Sequence, residues 1–283
     1  MKQQETKGKK KKSTYPIFFL TFLLFIAFFY FLYNQMVKGT AAICYTNPPQ
    51  TTTTDISPKT STQSEPINKE GAYKMDLLIV KDYKTSLFVL PLPSEEYQSP
   101  LLLTVPDSFA KQSIVKEGKI ATISWNGNVL ETYPAKISAM TIELKKASTS
   151  PLFLYEKALE ELIDTDKGLN TSITQAVFCL DGITNLTIME KEALVYLGSD
   201  LLDVPARQGT FKQLEDENLI QNGTFTNGIY IEITGENLNP SGKKVTFSME
   251  KYRSGDGAYF LLDCIGNYKK GTWSYTIGSH AIS

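Results

Sequence analysis

Residues 118–137 read GKIATISWNGNVLETYPAKI, and the fold turns on this stretch. Lys119–Trp125 alternates in a way that puts Ile120 and Trp125 on opposite faces of a strand, because strand side chains alternate with period two. Asn126-Gly127 between two apolar runs is the strongest short hairpin signal, since both turn positions require a positive φ. A partner strand is therefore predicted over Asn128–Tyr133, ended by Pro134, with another over Lys136–Lys145. Upstream, Met75–Val80 and Leu87–Leu90 flank a polar break, and Leu101–Val105 stops at Pro106-Asp107. Five or six short strands within residues 71–147 predict a small antiparallel β-barrel, closed or half closed.

Residues 150–283 have a different rhythm. Ser150-Pro151 is a helix start, since Ser can cap and Pro suits the first turn. Tyr155, Ala158, Leu159, Leu162 and Ile163 recur at helical spacing, which predicts an amphipathic helix over Leu152–Asp166. A strand follows over Ile173–Leu180. Thr187 with Glu190, and Thr210 with Gln213, are capping-box patterns that open two more helices. The remainder, Ile229–Thr234, Lys244–Lys251, Ala258–Ile265 and Thr272–Ile277, reads as strands separated by Gly-rich and Pro-rich turns. Helices followed by an antiparallel meander give an α+β domain of helices packed on an antiparallel sheet. The fold class of the whole chain is thus α+β.

The N-terminal quarter is neither barrel nor helix-and-sheet. Between Pro16 and Tyr33 only Pro16 and Thr21 interrupt the apolar residues. Taken over residues 15–37 the run measures roughly 34 Å as a helix, enough to cross a hydrocarbon core about 30 Å thick. Six lysines and one glutamate precede it within the first 14 residues. Lysines on that side keep it in the cytoplasm. The expectation is a basic cytoplasmic tail (1–14), a transmembrane helix (15–37), and all later residues outside the cell membrane. A cleaved signal peptide is the competing reading, with small residues at Gly39–Ala42. Lipidation of Cys44 is disfavoured by the bulky Ile43 before it. Residues 38–70 are rich in Thr, Ser and Pro, too poor in aliphatic residues to fold, and predict a disordered linker. Treated as a coil, residues 45–70 reach roughly 28 Å.

Two resemblances add to this. Gly118–Gly127, followed by Glu131–Ile137, resembles the closing half of a small exported β-barrel domain of lipoproteins and envelope proteins in Bacillus-like and clostridial bacteria. That domain is similar in outline to an oligonucleotide/oligosaccharide-binding (OB) barrel. The end of the chain, Lys251–Phe260, Asp263-Cys264, Trp273–Tyr275 and Ala281–Ser283, resembles exported, membrane-anchored proteins of clostridial-type bacteria. Both imply a location; neither implies a catalytic residue, a metal or a cofactor. The ratio of 27 Lys to two Arg fits such a source.

Composition and motifs narrow the chemistry. The net charge of −1 conceals a basic head and a mildly acidic body, which argues against a nucleic-acid partner. Three cysteines exclude a disulfide-dense scaffold. His280 is the one histidine, so a two-histidine metal motif is excluded and a catalytic triad could use only that residue. No G-x-S-x-G, Walker A, H-E-x-x-H or C-x-x-C is present. Gly255 and Gly257 lead into a strand and read as a tight turn. The best polar cluster is Glu250, Lys251, Arg253, Asp256 and Asp263. Within it Arg253, Asp256 and Asp263 form a candidate ligand grip, or an internal pair that fixes a turn, since a guanidinium grips carboxylate or phosphate with two hydrogen bonds. Cys179 and Cys264, both in apolar runs of one domain, are a candidate disulfide in an exported protein. The function expected is a non-catalytic binding or assembly module at the bacterial cell envelope, with an envelope protein or a glycan as partner. The alternatives are a cell-envelope hydrolase using carboxylates of the second domain, and a ligand-sensing accessory subunit of a membrane complex.

Overall fold

The structure, a computed structural model, describes residues 72–283. The expectations for the basic tail, the membrane span, the linker and Cys44 lie outside the described residues. Among those residues no helix is long and apolar enough to cross a membrane.

The first 75 or so described residues form a closed five-stranded barrel. Its strands are β1 (Tyr73–Asp82), β2 (Ser86–Pro91), β3 (Leu101–Thr104), β4 (Lys119–Trp125) and β5 (Ala135–Ala147), with a short helix α1 (Asp107–Ala110) between β3 and β4. The order around the barrel is β1-β2-β3-β5-β4, and β4 pairs with β1 to close it. Leu77, Ile79, Leu87, Val89, Leu101, Leu103 and Ile123 fill the interior.

Two expectations for the barrel need correction. It is not wholly antiparallel: β3 and β5 run parallel, Leu101 opposite Ala135 through Thr104 opposite Ser138. The chain passes through α1 and β4 between them, so it returns in the same direction. The expected strand at Asn128–Tyr133 is instead part of a loop. The first residues of β5 are taken by β3, so β4 pairs only with Ala139–Ala147. Residues 126–134 must then span the gap, and only Leu130 bridges to Lys136. Of the two turn positions expected to have a positive φ, Gly127 has one (81°) and Asn126 does not. A Cβ there would also lie 2.8 Å from the Tyr73 ring.

The second part packs α2 (Leu152–Asp164), a 3₁₀ turn (Lys167–Asn170), α3 (Ile188–Leu202) and α4 (Phe211–Asp216) with a seven-stranded sheet. Its strands are β6 (Gln175–Cys179), β7 (Ala206–Gln208), β8 (Gly228–Asn237), β9 (Lys244–Ser254), β10 (Gly257–Lys269), β11 (Thr272–Thr276) and β12 (Ser279–Ile282). Both capping boxes form: the Thr187 and Thr210 hydroxyls accept from the Glu190 and Gln213 N–H groups at 3.2 Å, and the acceptor side chains reach back. Ser150 contributes at α2, where its Oγ accepts the Leu152 N–H at 3.1 Å.

The sheet order is β11-β10-β9-β8-β6-β7, with β12 on the free stretch of β10. The expectation of an antiparallel sheet holds for β8 through β12 and fails at the other edge. There β6 runs parallel to both β7 and β8. The reason is α3, which carries the chain from the end of β6 back to the start of β7, as a crossover must. The sheet is therefore mixed.

The two parts share apolar packing. Barrel interiors need only alternate residues, yet Leu77–Val80 and Leu87–Leu90 are apolar throughout. Their outward residues Leu78, Val80, Phe88 and Leu90 are buried in the same cluster as Tyr155, Leu159, Phe178 and Leu194. Phe88 lies 4.4 Å from the Tyr196 ring, centroid to centroid. One core thus continues from the outer wall of the barrel into the helix-and-sheet lobe.

Candidate functional site at the barrel–lobe junction

Where that shared core reaches the surface there is a cleft of about 320 Å³. Its walls come from separate elements. Lys81 is next to the last residue of β1, Gly118 precedes β4 and Lys119 begins it, and Ser148 follows β5. The lobe supplies Phe153, Glu156, Lys157 and Glu160 from α2, and Tyr268 and Trp273 from the β10–β11 hairpin. Residues 153, 156, 157 and 160 have the i, i+3, i+4, i+7 spacing that places them on one helix face. This is the face opposite the apolar stripe that buries Leu159 and Leu162.

Lys81 is the hub. Its Nζ lies 3.0 Å from Glu156 Oε1 and 3.4 Å from Glu160 Oε1. The Glu156 side chain is only 10% exposed, whereas that of Glu160 is 45% exposed. Burial pushes the Glu156 carboxyl above the usual carboxylate range; Lys81 pulls it back in part, while Glu117 and Glu160 add to the rise. Burial draws the Lys81 ammonium down, but the hydrogen bond to Glu156 and the nearby carboxylates hold it above the ordinary lysine range. Taken alone, two charges out of water seldom gain stability. Here they join barrel to lobe at one fixed place.

The rest of the wall is tied down by backbone contacts. Trp273 Nε1 donates to Ser150 O at 2.8 Å, and the Tyr268 hydroxyl donates to Ser148 O at 2.9 Å. Lys157 Nζ donates to Trp273 O at 3.1 Å. Gly118, at φ 76°, donates to Ile79 O and accepts from Ser148 N–H at 2.9 and 2.7 Å. Its positive φ lets the chain turn into β4, and a Cβ there would just touch the Phe153 ring, at 4.0 Å. Glu117 accepts the Asp82 N–H at 3.0 Å. The junction is a hydrogen-bonded, charge-balanced recess with aromatic sides.

The residues singled out from sequence lie elsewhere, and they do not converge. Arg253 directs its guanidinium to the Leu169, Thr171 and Thr226 carbonyls at 3.2, 2.6 and 3.1 Å. Asp256 accepts from the Ser254 hydroxyl at 3.1 Å in the β9–β10 turn. Asp263, at φ 52°, is the exposed residue of a bulge in β10, where its N–H donates to Ser248 Oγ. Lys251 is fully buried beneath the end of α2. His280 hydrogen-bonds through Nδ1 to the Tyr259 hydroxyl at 2.5 Å on the sheet edge.

The candidate disulfide is corrected. Cys179 is on β6 and Cys264 on β10, with β8 and β9 between them. At about 4.8 Å per strand the three spacings alone put their backbones at least about 14 Å apart, about twice the reach of a disulfide. Both are buried as thiols. Burial, together with Glu161 and Asp263, pushes the Cys264 thiol up to about 11.

Glu250 does have company. It sits directly opposite Glu232 in the β8–β9 ladder, and the Tyr230 hydroxyl donates to Glu232 Oε2 at 3.2 Å. Burial first, and then the Glu232 charge, pushes the Glu250 carboxyl up to about 7. Because its pKa is raised, the folded chain holds an extra proton between about pH 4.5 and 7, so this group lowers stability as pH rises through that window. Glu250→Gln is expected to remove that slope and to be the more stable form at pH 8, by up to about 3 kcal/mol. Urea unfolding of both forms at pH 4.5 and pH 8 checks it, and equal slopes would refute the assignment.

Compared with protein-family models, with curated proteins and with solved structures, the chain matches none. The site is therefore read from its own geometry. The cleft residues were missed in the sequence because they are ordinary surface types scattered over some 190 positions. The one available signal was the polar face of α2, with Glu156 and Glu160 flanking Lys157.

Proposed function

We propose that the protein is a binding module of the bacterial cell envelope, held by one N-terminal membrane span and displayed outside the cell. The observation that carries this is the junction cleft, because its shape is set by a continuous core and its polar groups converge from both parts. Ligand sites favour such junctions. The strand order 1-2-3-5-4, with β3 parallel to β5, supports an OB-like barrel, a fold used to hold oligosaccharides and oligonucleotides. The basic tail, the apolar run and the acidic body support the exported orientation.

The reading has a direct test. Full-length protein in a detergent without a sugar headgroup is expected to bind purified envelope sacculi saturably. Phe153→Ala should weaken binding about tenfold, which corresponds to losing roughly 1.4 kcal/mol of contact. Unsaturable binding, or equal binding by the variant, overturns the assignment of the cleft. Release of reducing ends or free peptide during incubation would replace the binding reading with the hydrolase alternative.

A further inference from the structure

Resting on that binding reading, we propose that the junction cleft takes an uncharged sugar of about disaccharide size, gripped by Lys81, Glu156 and Glu160 and flanked by Phe153 and Tyr268. Three lysines (Lys81, Lys119, Lys157) and three glutamates (Glu117, Glu156, Glu160) line the recess. Most are already engaged: Lys81 by two carboxylates, Lys157 by a carbonyl, and Glu117 by a backbone N–H.

An anionic ligand held by Lys81 would have to draw it away from Glu156. That would leave a carboxylate nine-tenths buried without its counter-charge, a change that costs several kcal/mol. A cationic ligand would meet Lys81 standing between the two carboxylates it seeks. A hydroxyl group meets neither obstacle. It can accept from the Lys81 ammonium and donate to Glu156 or Glu160 together, leaving the net charge of the site unchanged.

Shape points the same way. A volume of about 320 Å³ lies at the lower end of the roughly 300–1,000 Å³ range of small-molecule sites. That suits one or two pyranose rings. Phe153 and Tyr268 are both half-buried, so each offers ring surface to the cleft. The apolar C–H face of a sugar packs on such rings while its hydroxyls turn toward the ion pairs.

The chain has two tryptophans, and Trp273 lines the cleft. In a Trp125→Phe background of the full-length protein, Trp273 emission reports occupancy alone. Three probes are titrated in a detergent without a sugar headgroup: N,N′-diacetylchitobiose, its de-acetylated cationic counterpart, and glycerol phosphate. The uncharged disaccharide is expected to bind about tenfold tighter than either charged probe. Its affinity should change less than about twofold between low and high salt, because an uncharged ligand is not screened. Glu160→Ala, at a half-exposed position, should weaken it about fivefold with an unchanged thermal transition. Tighter, salt-sensitive binding of either charged probe overturns the sugar assignment while leaving the binding module in place. No response to any probe, in protein that still binds sacculi, overturns it as well. Loss of sacculus binding itself would remove the reading on which it rests.

Discussion

Replacing Lys251 by Met is expected to destabilise the protein by about 3 kcal/mol, although the substitution removes a buried charge. Lys251 is fully buried on β9, and its Nζ donates to the carbonyls of Ile163, Thr165 and Asp166 at 3.4, 2.5 and 3.2 Å and to Asn170 Oδ1 at 3.2 Å. Those carbonyls are at the open end of α2, where a helix leaves acceptors without internal partners. A methionine fills the space but donates nothing: the Ile163 and Asp166 carbonyls keep the Asn170 Nδ2 and Leu169 N–H donors at 2.8 and 3.1 Å, whereas the Thr165 carbonyl and Asn170 Oδ1 lose the ammonium, and each buried acceptor left unmade costs about 1–3 kcal/mol. Against this stands the cost of burying the ammonium, which lowers its pKa to about 8 even though Asp166 and Asp164 favour the charge. The two acceptors that would lose their donor outweigh that cost at neutral pH. The sign of the pH effect follows. With the folded pKa depressed, the unfolded chain holds more protons between about pH 8 and 10.5, so this group adds stability as pH rises through that window. The gap between wild type and Lys251→Met should therefore widen from pH 7.5 to pH 9.5. Urea unfolding by far-UV circular dichroism at the two pH values measures it. A loss under about 1 kcal/mol, or a gap that narrows, would show that the loop carbonyls are satisfied by water instead.

Local signals in the sequence survived wherever the chain decides matters locally. The capping boxes at Thr187 and Thr210 depend on side chains three residues apart, and both form. The helix α2 ends two residues before the expected Asp166, with Thr165 extended and its carbonyl bonded by Lys251, 86 positions away. Asn126-Gly127 marks a positive φ at Gly127 but not at Asn126, and no hairpin forms, since the competitor for β5 is β3, 34 residues upstream. Parallel pairing of β6 escaped for a similar reason: periodicity tells which face is apolar, not which neighbour pairs. Leu77–Val80 is apolar at every position. A run apolar on both faces marks a strand covered on both sides, and here the second cover is the lobe itself. The site was the least legible part. Arg253 drew notice because arginine is rare in this chain, but rarity is not geometry, and its partners proved to be backbone carbonyls. Lys81 looked ordinary among 27 lysines, and only the packing of β1 against α2 gives it Glu156 and Glu160.

That packing makes a second large effect expected at a residue outside the cleft. Phe88 is fully buried, yet it points away from the barrel interior and packs on Tyr196 of α3. Phe88→Ala should cost about 4 kcal/mol, as truncation of a buried aromatic ring commonly does, while leaving the interior residues of the barrel untouched. Its neighbour contact is weakly reinforced: Tyr83 donates to Asp200 Oδ2 at 3.1 Å, on the surface. The loss should therefore fall on the join between barrel and lobe more than on either alone. The two tryptophans report the two sides separately, Trp125 from the barrel core and Trp273 from the lobe. In wild type, with one continuous core, their urea transitions should coincide. In Phe88→Ala they should separate, and binding at the cleft should weaken although no cleft residue has changed. Coincident transitions at reduced stability would mean that the remaining contacts, Leu78, Val80, Leu90 and the Lys81–Glu156 pair, suffice to hold barrel and lobe as one cooperative unit. A loss below about 1 kcal/mol would instead mean that the shared core contributes little, and that the cleft is held by the ion pair and the hydrogen-bonded linker at Ser148 and Ser150.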